Sequence, residues 1–461
     1  MFDQFLHGTI YFMEIECNKL KSYPSHSQRV LLGPQEISGY YKNLEKGFLQ
    51  NGVPAKLITT HPHPFDYGQA TPNPRLAFLA SNAVIKHREA GLLGRLFWAS
   101  LYMFFSFLIV FWSIPRFDVF VFAWGTSFLP FNLDIPVYRL FGKKVFVILG
   151  HGSEARPPYM STPPYDGFPK TKAEVNKLQA QIKRVARSVR RNERLANRVI
   201  GMQMTAQFLT KPFIDFYRIG LPSPKPDDLD NQIAEHDPLN PIVVLHVPSN
   251  KAVKGTDEIR IAMERIIQSF PNVEYRELSG VGHSEILAAM ANSDIVLDWL
   301  WSDIPMAVVG TEAAGLSKPT IISSYGWEQW ERWEQIHGKE FLPPVIRATP
   351  ETLGQVIHDA ISEISRSKNI GFQAHQFISK VWTPSQVASN FTKVISGNIP
   401  ESWIMTPEQV DYLWGAGVSR ENTLNMVRVL LASGKRNPLR WAAGETKYLE
   451  YLSRFQKNDG A

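Results

Sequence analysis

Residues 242–256 read IVVLHVPSNKAVKGT. The run 242–246 is apolar up to a closing His246, and no charge, Gly or Pro interrupts it. Bounded by turn residues, such a run reads as a strand buried on both faces. The loop after it carries Ser249, Lys251 and Lys254, and Gly255-Thr256 opens a helix reaching 269. Strand, loop and helix start make the repeating unit of a parallel sheet with helices on its faces. The alternation continues through strand 273–278, helix 283–292, strand 294–298, a helix near 305–316 and strand 319–323.

The same alternation runs upstream. Strand 29–34 precedes a helix at 39–51, with Leu44, Phe48 and Leu49 on one face and Gly52 as its stop. Strands 55–59, 117–123 and 144–149 follow, the last running into Gly150-His151-Gly152-Ser153. A basic helix at 174–195 and a strand at 197–201 complete the series. Residues 221–240 are rich in Pro and Asp and read as a linker. The expected organisation is an extension 1–28, an α/β domain 29–220, the linker, a second α/β domain 241–380, and C-terminal helices and tail 381–461. Tail helices are expected at 406–416, 420–433 and 438–455.

Composition narrows the function. Cys17 is the single cysteine among 461 residues, which excludes a disulfide scaffold and any multi-cysteine metal site. The net charge is +6, yet 177–198 alone holds eight Lys/Arg against Glu193. The remainder sums to −1, so the surplus is one basic helix and no nucleic-acid partner is expected. Asp3, Glu14 and Glu16 break up the N-terminus, and no signal peptide is expected. Residues 96–114 form 19 positions without charge, Gly or Pro. As a helix they would measure about 28 Å, close to the thickness of a hydrocarbon core.

Candidate chemistry is sought at the carboxyl ends of the strands and at helix N-termini. Gly39 opens the helix after the first strand, where the absence of a Cβ lets backbone approach a diphosphate; a plain turn glycine is the alternative. His151, flanked by glycines, is placed to donate to a sugar hydroxyl or polarise a reacting group; capping local backbone is the alternative. Lys251 and Lys254 at a helix start suit phosphate, or are two solvated lysines. Glu312 near the strand 294–298 can accept from ribose hydroxyls, with Asp294, Asp298 and Asp303 as nearby acids. Asp294 reads as a cap or strand-end residue. Trp327, Trp330 and Trp333 read as a packed helix face. Neither a G-x-x-x-x-G-K-[ST] loop nor an H-E-x-x-H motif occurs, Asp228-Leu229-Asp230 falls in the linker, and His61 and His63 have no acid beside them, so no metal site is expected.

Three stretches together resemble the family-four retaining nucleotide-sugar glycosyltransferases of the GT-B fold. They are 117–156, with its GKK strand and H-G-S-E turn; 242–256, with LHVPSNKAVKGT; and 282–321, with G-H-S-E, S-D-I-V-L-D and E-A-x-x-x-x-K-P-x-I. Residues 376–396 resemble the family's closing helices. The resemblance implies two Rossmann-like domains facing a cleft, with C-terminal helices recrossing to the N-terminal domain. It implies transfer of a sugar from a nucleoside diphosphate to an acceptor hydroxyl, without metal or cofactor. Gly39, Ser249, Lys251, Lys254, Gly255 and Glu312 would hold the donor, and His151 and Glu312 would serve catalysis. The family's first acid falls on Ile304, and Asp303 is the nearest carboxylate; the arginine expected before the lysine is Ser249.

For the membrane, the expectation is partial insertion of 96–114 in one leaflet, through Arg95, Phe97 and Trp98, with Lys183, Arg184, Arg187, Arg190 and Arg191 meeting anionic headgroups. The acceptor would then be a glycan or a lipid-linked sugar, and the protein peripheral at the cytoplasmic face. An over-apolar core helix is the alternative. A nucleotide-sugar epimerase and a non-catalytic scaffold are the competing functions.

Overall fold

The structure is a computed structural model. It describes residues 28–61, 71–161, 169–223 and 240–450, apart from 436, 443, 445, 447 and 448. Nearly all of the expected extension, most of the linker with Asp228-Leu229-Asp230, His63 and much of the expected helix 438–455 lie outside the described residues.

The chain divides into two compact units: Met1–Leu149 with Arg191–Ile200 and Pro384–Ile399, and Gly150–Arg190 with Gly201–Thr383 and Pro400–Ala461. The segments 150–190 and 201–220, expected in the N-terminal domain, group with the second unit. Of the C-terminal residues, 384–399 return to the first unit, whereas 400–461 stay with the second.

In the first unit, β1 (Val30–Gly33), β2 (Ala55–Leu57), β3 (Val119–Phe122), β4 (Lys144–Leu149) and β5 (Arg198–Gly201) lie in the order β5-β4-β3-β1-β2. β1 pairs in parallel with β2 on one side and β3 on the other. Both β1 and β3 are buried at every position, which is why their sequences are apolar throughout instead of alternating.

Helix α1 (Tyr40–Gln50) buries Tyr41, Leu44 and Phe48. Its other contact is the helix Pro384–Ser396, where the rings of Phe48 and Phe391 meet edge to face at 6.2 Å. A Cβ at Gly47 would fall 1.9 Å from the Pro384 carbonyl oxygen, so glycine is what lets the returning helix seat. Asn51 Nδ2 donates to the Ser385 carbonyl at 2.8 Å, and Lys144 Nζ to the Ile395 carbonyl at 2.8 Å.

Helices α2 (Arg75–Glu89) and α3 (Leu92–Ser113) pack on each other, and the short α4 (Asp134–Leu140) precedes β4. The sequence reading has no counterpart of α2, and α3 begins four residues earlier than expected. α3 is the one helix among the described residues long and apolar enough to cross a membrane, and 28% of its most apolar window is buried. Ile109, Val110 and Trp112 face inward, while Leu92, Leu96, Phe97, Phe104 and Phe111 are exposed. An over-apolar core helix is therefore not what folds.

The second unit holds a fully parallel five-stranded sheet: β7 (Ile242–His246), β8 (Val273–Glu277), β9 (Ile295–Leu297), β10 (Thr320–Ser323) and β11 (Ile346–Ala348), in the order β11-β10-β9-β7-β8. The strand β6 (Phe213–Asp215) pairs antiparallel with β12 (Ile404–Met405). Val244, Ile295, Leu297 and Ile321 pack with Ile259, Met263, Leu353 and Ile357 on one face of the five-stranded sheet. Leu245 and Val296 pack with Met290 and Ala313 on the other. The period-2 split and the two helical layers give an α/β architecture with two parallel-sheet domains.

The segment 406–416 is not the expected helix. It is a 3-10 turn at Pro407–Gln409 and then extended chain to a bridge between Gly415 and Val418. Tyr412, Leu413 and Trp414 are consecutive and all buried, a demand no single helix face meets. The Gln329 side chain satisfies this backbone, donating to the Trp414 carbonyl at 2.9 Å and accepting from the Trp414 N–H at 3.4 Å.

Two expectations follow. Gly47→Ala should destabilise the protein by about 2 kcal/mol in urea denaturation, because the overpacking against Pro384 outweighs the better helix propensity of Ala. Glu36, which accepts from the N–H groups of Ile37, Tyr41 and Lys42, is pushed up by burial from 4.5 to about 7. The folded state thus holds a proton that the unfolded chain releases near 4.5, and this contribution is complete below 4.5 and lost as pH rises through about 7. Glu36→Gln should gain on the wild type across that window and run parallel to it above. Equal pH slopes would refute this.

Candidate functional site

The chain leaves β7 for β8 at one edge and then crosses back to β9 on the other side of β7. Their connections diverge at the carboxyl ends of β7 and β9, the place in a parallel sheet where ligands bind. The loop 247–255 and the residues after Leu297 meet there.

His246 ends β7 fully buried. Its Nδ1 lies 3.0 Å from the Leu297 carbonyl, and its Nε2 lies 3.0 Å from Thr256 Oγ1. A carbonyl only accepts, so Nδ1 carries the proton and Nε2 accepts from the threonine. Burial lowers the imidazole pKa and keeps the ring neutral. His246 thereby ties the end of β9 to the start of α6 (Thr256–Ser269).

Asn250 caps the single turn Lys251–Lys254, accepting from the Val253 N–H at 3.1 Å. Gly255 follows at φ 70, left-handed, and a Cβ there would lie 2.5 Å from Leu300 Cδ2. Both facts require glycine. The Leu300 N–H donates to the Lys254 carbonyl at 3.2 Å, and Trp299 Nε1 donates to the Val253 carbonyl at 2.8 Å.

This stitching places the Lys254 ammonium 3.0 Å from Asp298 Oδ1 and 4.5 Å from the centre of the Trp299 ring. The Asp298 side chain is 1% exposed, and its Oδ2 is buried without a hydrogen-bond partner among the described residues. Lys251 Nζ instead reaches Glu277 Oε1 at 2.8 Å. Arg260 binds the same carboxylate through Nε at 2.7 Å and Nη2 at 2.8 Å, and its hydrogen bond is the main reason Glu277 is held down at about 2. Ser249 is exposed in the loop.

Glu312 lies on α8 (Val308–Gly315), and its Oε1 is 2.7 Å from His283 Nε2, at the first residue of α7 (His283–Ala291). Asp303 is buried and forms an ion pair with the buried Arg156. The Asp303 carbonyl accepts from Trp330 Nε1 at 3.2 Å. The position of the resembling family's first acid is thus Ile304, with its neighbouring carboxylate committed to an internal guanidinium. Trp327, Trp330 and Trp333 are buried, as expected of a packed face.

The His151 ring meets Phe216 edge to face at 5.5 Å, and burial lowers it to about 3, so it is neutral. Its backbone N–H donates to Glu154 Oε1 at 2.7 Å. Burial raises the Glu154 pKa, and its Oε2 is buried without a partner among the described residues.

Gly39 lies in the first unit, left-handed at φ 79 before α1. The N–H groups of Tyr41 and Lys42, which a diphosphate would use there, already bond to Glu36. Of the expected membrane cations, Lys183, Arg184 and Arg187 are exposed on α5 (Lys172–Leu195). Arg190 and Arg191 are half-buried: the first donates to the Arg440 carbonyl at 3.3 Å, and the second lies 5.3 Å over the Phe131 ring.

The structure therefore gathers Lys254 and Gly255 with Asp298 and Trp299, Glu312 with His283, and Asp303 with Arg156, as three internal pairings of the second unit. Arg156 and Trp299 were missed because their partners are remote in sequence or their role is to hold another side chain. The turn H-G-S-E-A-R contains Arg156 without marking it.

No protein-family model and no curated protein matches the chain. Among solved structures it is similar to HepE of Anabaena in complex with UDP and glucose, at TM-score 0.42 and 13% identity, over 80% of this chain and 100% of that one. It is similar to sucrose-phosphate synthase of Thermosynechococcus elongatus, at TM-score 0.43 and 12% identity, over 80% of this chain and 99% of that one. A trehalose-6-phosphate structure from E. coli bound with UDP-2-fluoro glucose is similar at TM-score 0.46 and 11% identity, over 81% of this chain and 100% of that one.

Proposed function

We propose that the protein is a glycosyltransferase that moves a sugar from a nucleoside diphosphate to an acceptor hydroxyl. The observation that carries this reading is Lys254, held by Asp298 and Trp299 at the carboxyl ends of β7 and β9. A parallel sheet binds phosphorylated ligands at such a place. Lys254 and the free N–H groups at the start of α6 would stabilise the negative charge growing on the diphosphate as the glycosidic bond breaks. Glu312, released from His283, would take the ribose hydroxyls. His151 is neutral and could accept from or donate to a sugar hydroxyl without carrying a charge of its own. A retaining outcome rests on the sequence resemblance, and the scaffold alternative on Ile304 and the Arg156–Asp303 pair.

The acceptor belongs to a membrane in this reading. The exposed face of α3 carries Leu96, Phe97, Phe104 and Phe111, with Arg95 at its edge, which suits an anionic bilayer surface. The protein would lie peripherally at the cytoplasmic face and act in the synthesis of a polysaccharide or glycolipid.

Thermal unfolding with UDP, GDP, ADP and dTDP should single out one nucleotide, worth about 2.7 kcal/mol at a hundredfold excess over its Kd. Lys254→Ala should abolish that shift. Asp298→Asn leaves the lysine unpaired and should cost about 3 kcal/mol in the free protein. The same nucleotide should then stabilise this variant more than the wild type, because the anion meets an uncompensated ammonium. If none of the four nucleotides shifts the wild type, the donor reading fails. Release of labelled sugar only when acceptor is present separates transfer from epimerisation and from a scaffold.

Flotation tests the membrane part. The wild type should rise with phosphatidylcholine–phosphatidylglycerol vesicles, and the double variant Phe97→Glu/Phe104→Glu should stay at the bottom of the gradient. Equal flotation of both would overturn the role of α3.

A further inference from the structure

A cavity with a basic rim lies away from Lys254, also within the second unit. It has a volume of about 360 Å³ and opens between α5 and the segment after the helix Arg420–Ala432. Asn176, Gln179 and Lys183 line it from α5, and Lys435, Asn437 and Arg440 line it from the tail. No carboxylate is among the described residues lining it.

The wall is built rather than loose. Tyr159 Oη donates to the Leu439 carbonyl at 3.2 Å, Arg190 Nη2 to the Arg440 carbonyl at 3.3 Å, and the Ala442 N–H to the Gln207 carbonyl at 2.9 Å. Leu439 is fully buried. Asn437 and Arg440 flank it in the left-handed region, at φ 50 and 55, an arrangement that non-glycine residues keep only where the surroundings enforce it.

The floor is polar. Gln179 is 8% exposed; its Nε2 donates to Ser433 Oγ at 2.7 Å, and its Oε1 is buried with no donor in the described structure. Across the mouth, Lys435 Nζ donates to Asn176 Oδ1 at 2.8 Å, which spends one of its three protons. Lys183 and Lys435 have no carboxylate partner among the described residues.

From these observations we infer that this cavity binds a phosphate ester. Two ammonium groups and the guanidinium of Arg440 supply charge and a planar fork, the combination that suits phosphate oxygens. The amides of Asn176, Gln179 and Asn437 suit the hydroxyls of a polyol attached to it. The same chemistry is offered by a soluble sugar phosphate and by the headgroup of an anionic phospholipid. The site gives Lys435, Asn437 and Arg440 a function that is independent of the donor reading.

The full-length protein is titrated by calorimetry with glucose 6-phosphate, and separately with glycerophosphoglycerol, the deacylated headgroup of phosphatidylglycerol. Binding of either, with a Kd below about 1 mM, is the expected result. Preference for the first assigns a soluble ligand, and preference for the second assigns a lipid headgroup. The double variant Lys183→Glu/Lys435→Glu alters exposed side chains and should keep its melting temperature while losing about a hundredfold in affinity. The control Lys177→Glu/Arg184→Glu makes the same change of charge on exposed residues of α5 outside the cavity and should bind as the wild type does. Absence of binding to both probes, or an equal loss in the control, overturns the proposal; the latter would mean attraction to the basic helix as a whole.

Discussion

A buried carboxylate governs the loop after β7. Asp298 lies almost out of water at the end of β9, and a charge in that position is tolerated only if an opposite charge stands against it. Lys254 is that charge, so its position is fixed by the needs of the core before any ligand arrives. The rest of the loop follows. Trp299 and Leu300, the next two residues after Asp298, bond to the carbonyls of Val253 and Lys254, and position 255 must be glycine because the Leu300 side chain leaves no room for a Cβ. The loop 247–255 therefore takes its shape from β9 as much as from its own sequence. A ligand that binds there shares a lysine already in place, so the ordering cost has been met in folding.

The same economy recurs at other polar groups. Glu36 fills the N-terminus of α1, His283 holds Glu312, Arg156 holds Asp303, and Arg260 with Lys251 holds Glu277. These partners differ in how readily a ligand could displace them. His283–Glu312 is a single contact between partly exposed groups, whereas Arg156–Asp303 is buried on both sides. Exchange at Glu312 is thus cheap. At Asp303 it would strand a buried guanidinium, so Asp303 holds Arg156 in place.

Much of the fold was legible because parallel strands buried on both faces leave a plain mark. VLLG, VFVF and IVVLH are uninterrupted apolar runs, and each is a strand within a residue or two of its expected limits. Helix α2 left no such mark, since it buries Ala77, Ala80 and Ala83, small residues that pack closely against α3 without an amphipathic signature. The tail failed for the opposite reason: Val410, Tyr412, Leu413 and Trp414 are apolar enough for a helix, but they are buried in a non-helical segment whose backbone the remote Gln329 side chain satisfies. At the site, Gly255 and Lys254 were legible because loop and helix start are local. The pairing of Arg156 with Asp303 spans 147 positions, and nothing in either neighbourhood announces it.

Helix α3 poses the remaining physical question. Its inward face is closed by Ile109, Val110 and Trp112, and its contact with α2 does not reach the stripe from Leu92 to Phe111. Each large apolar side chain left in water forfeits about 1.5–3 kcal/mol that burial would return, so a row of them is a standing cost. Scattered exposed leucines need no explanation, but a contiguous row on one helix face does. The charges near it are arranged to leave that face bare. Arg95 folds back to the carbonyl of Ala90 at 3.0 Å, and Lys86 stacks over Trp98 at 5.0 Å, so neither cation lies across the phenylalanines. A surface meant for water would use those long side chains as cover. Here they stay at the rim, which supports the proposal that this face meets a membrane surface.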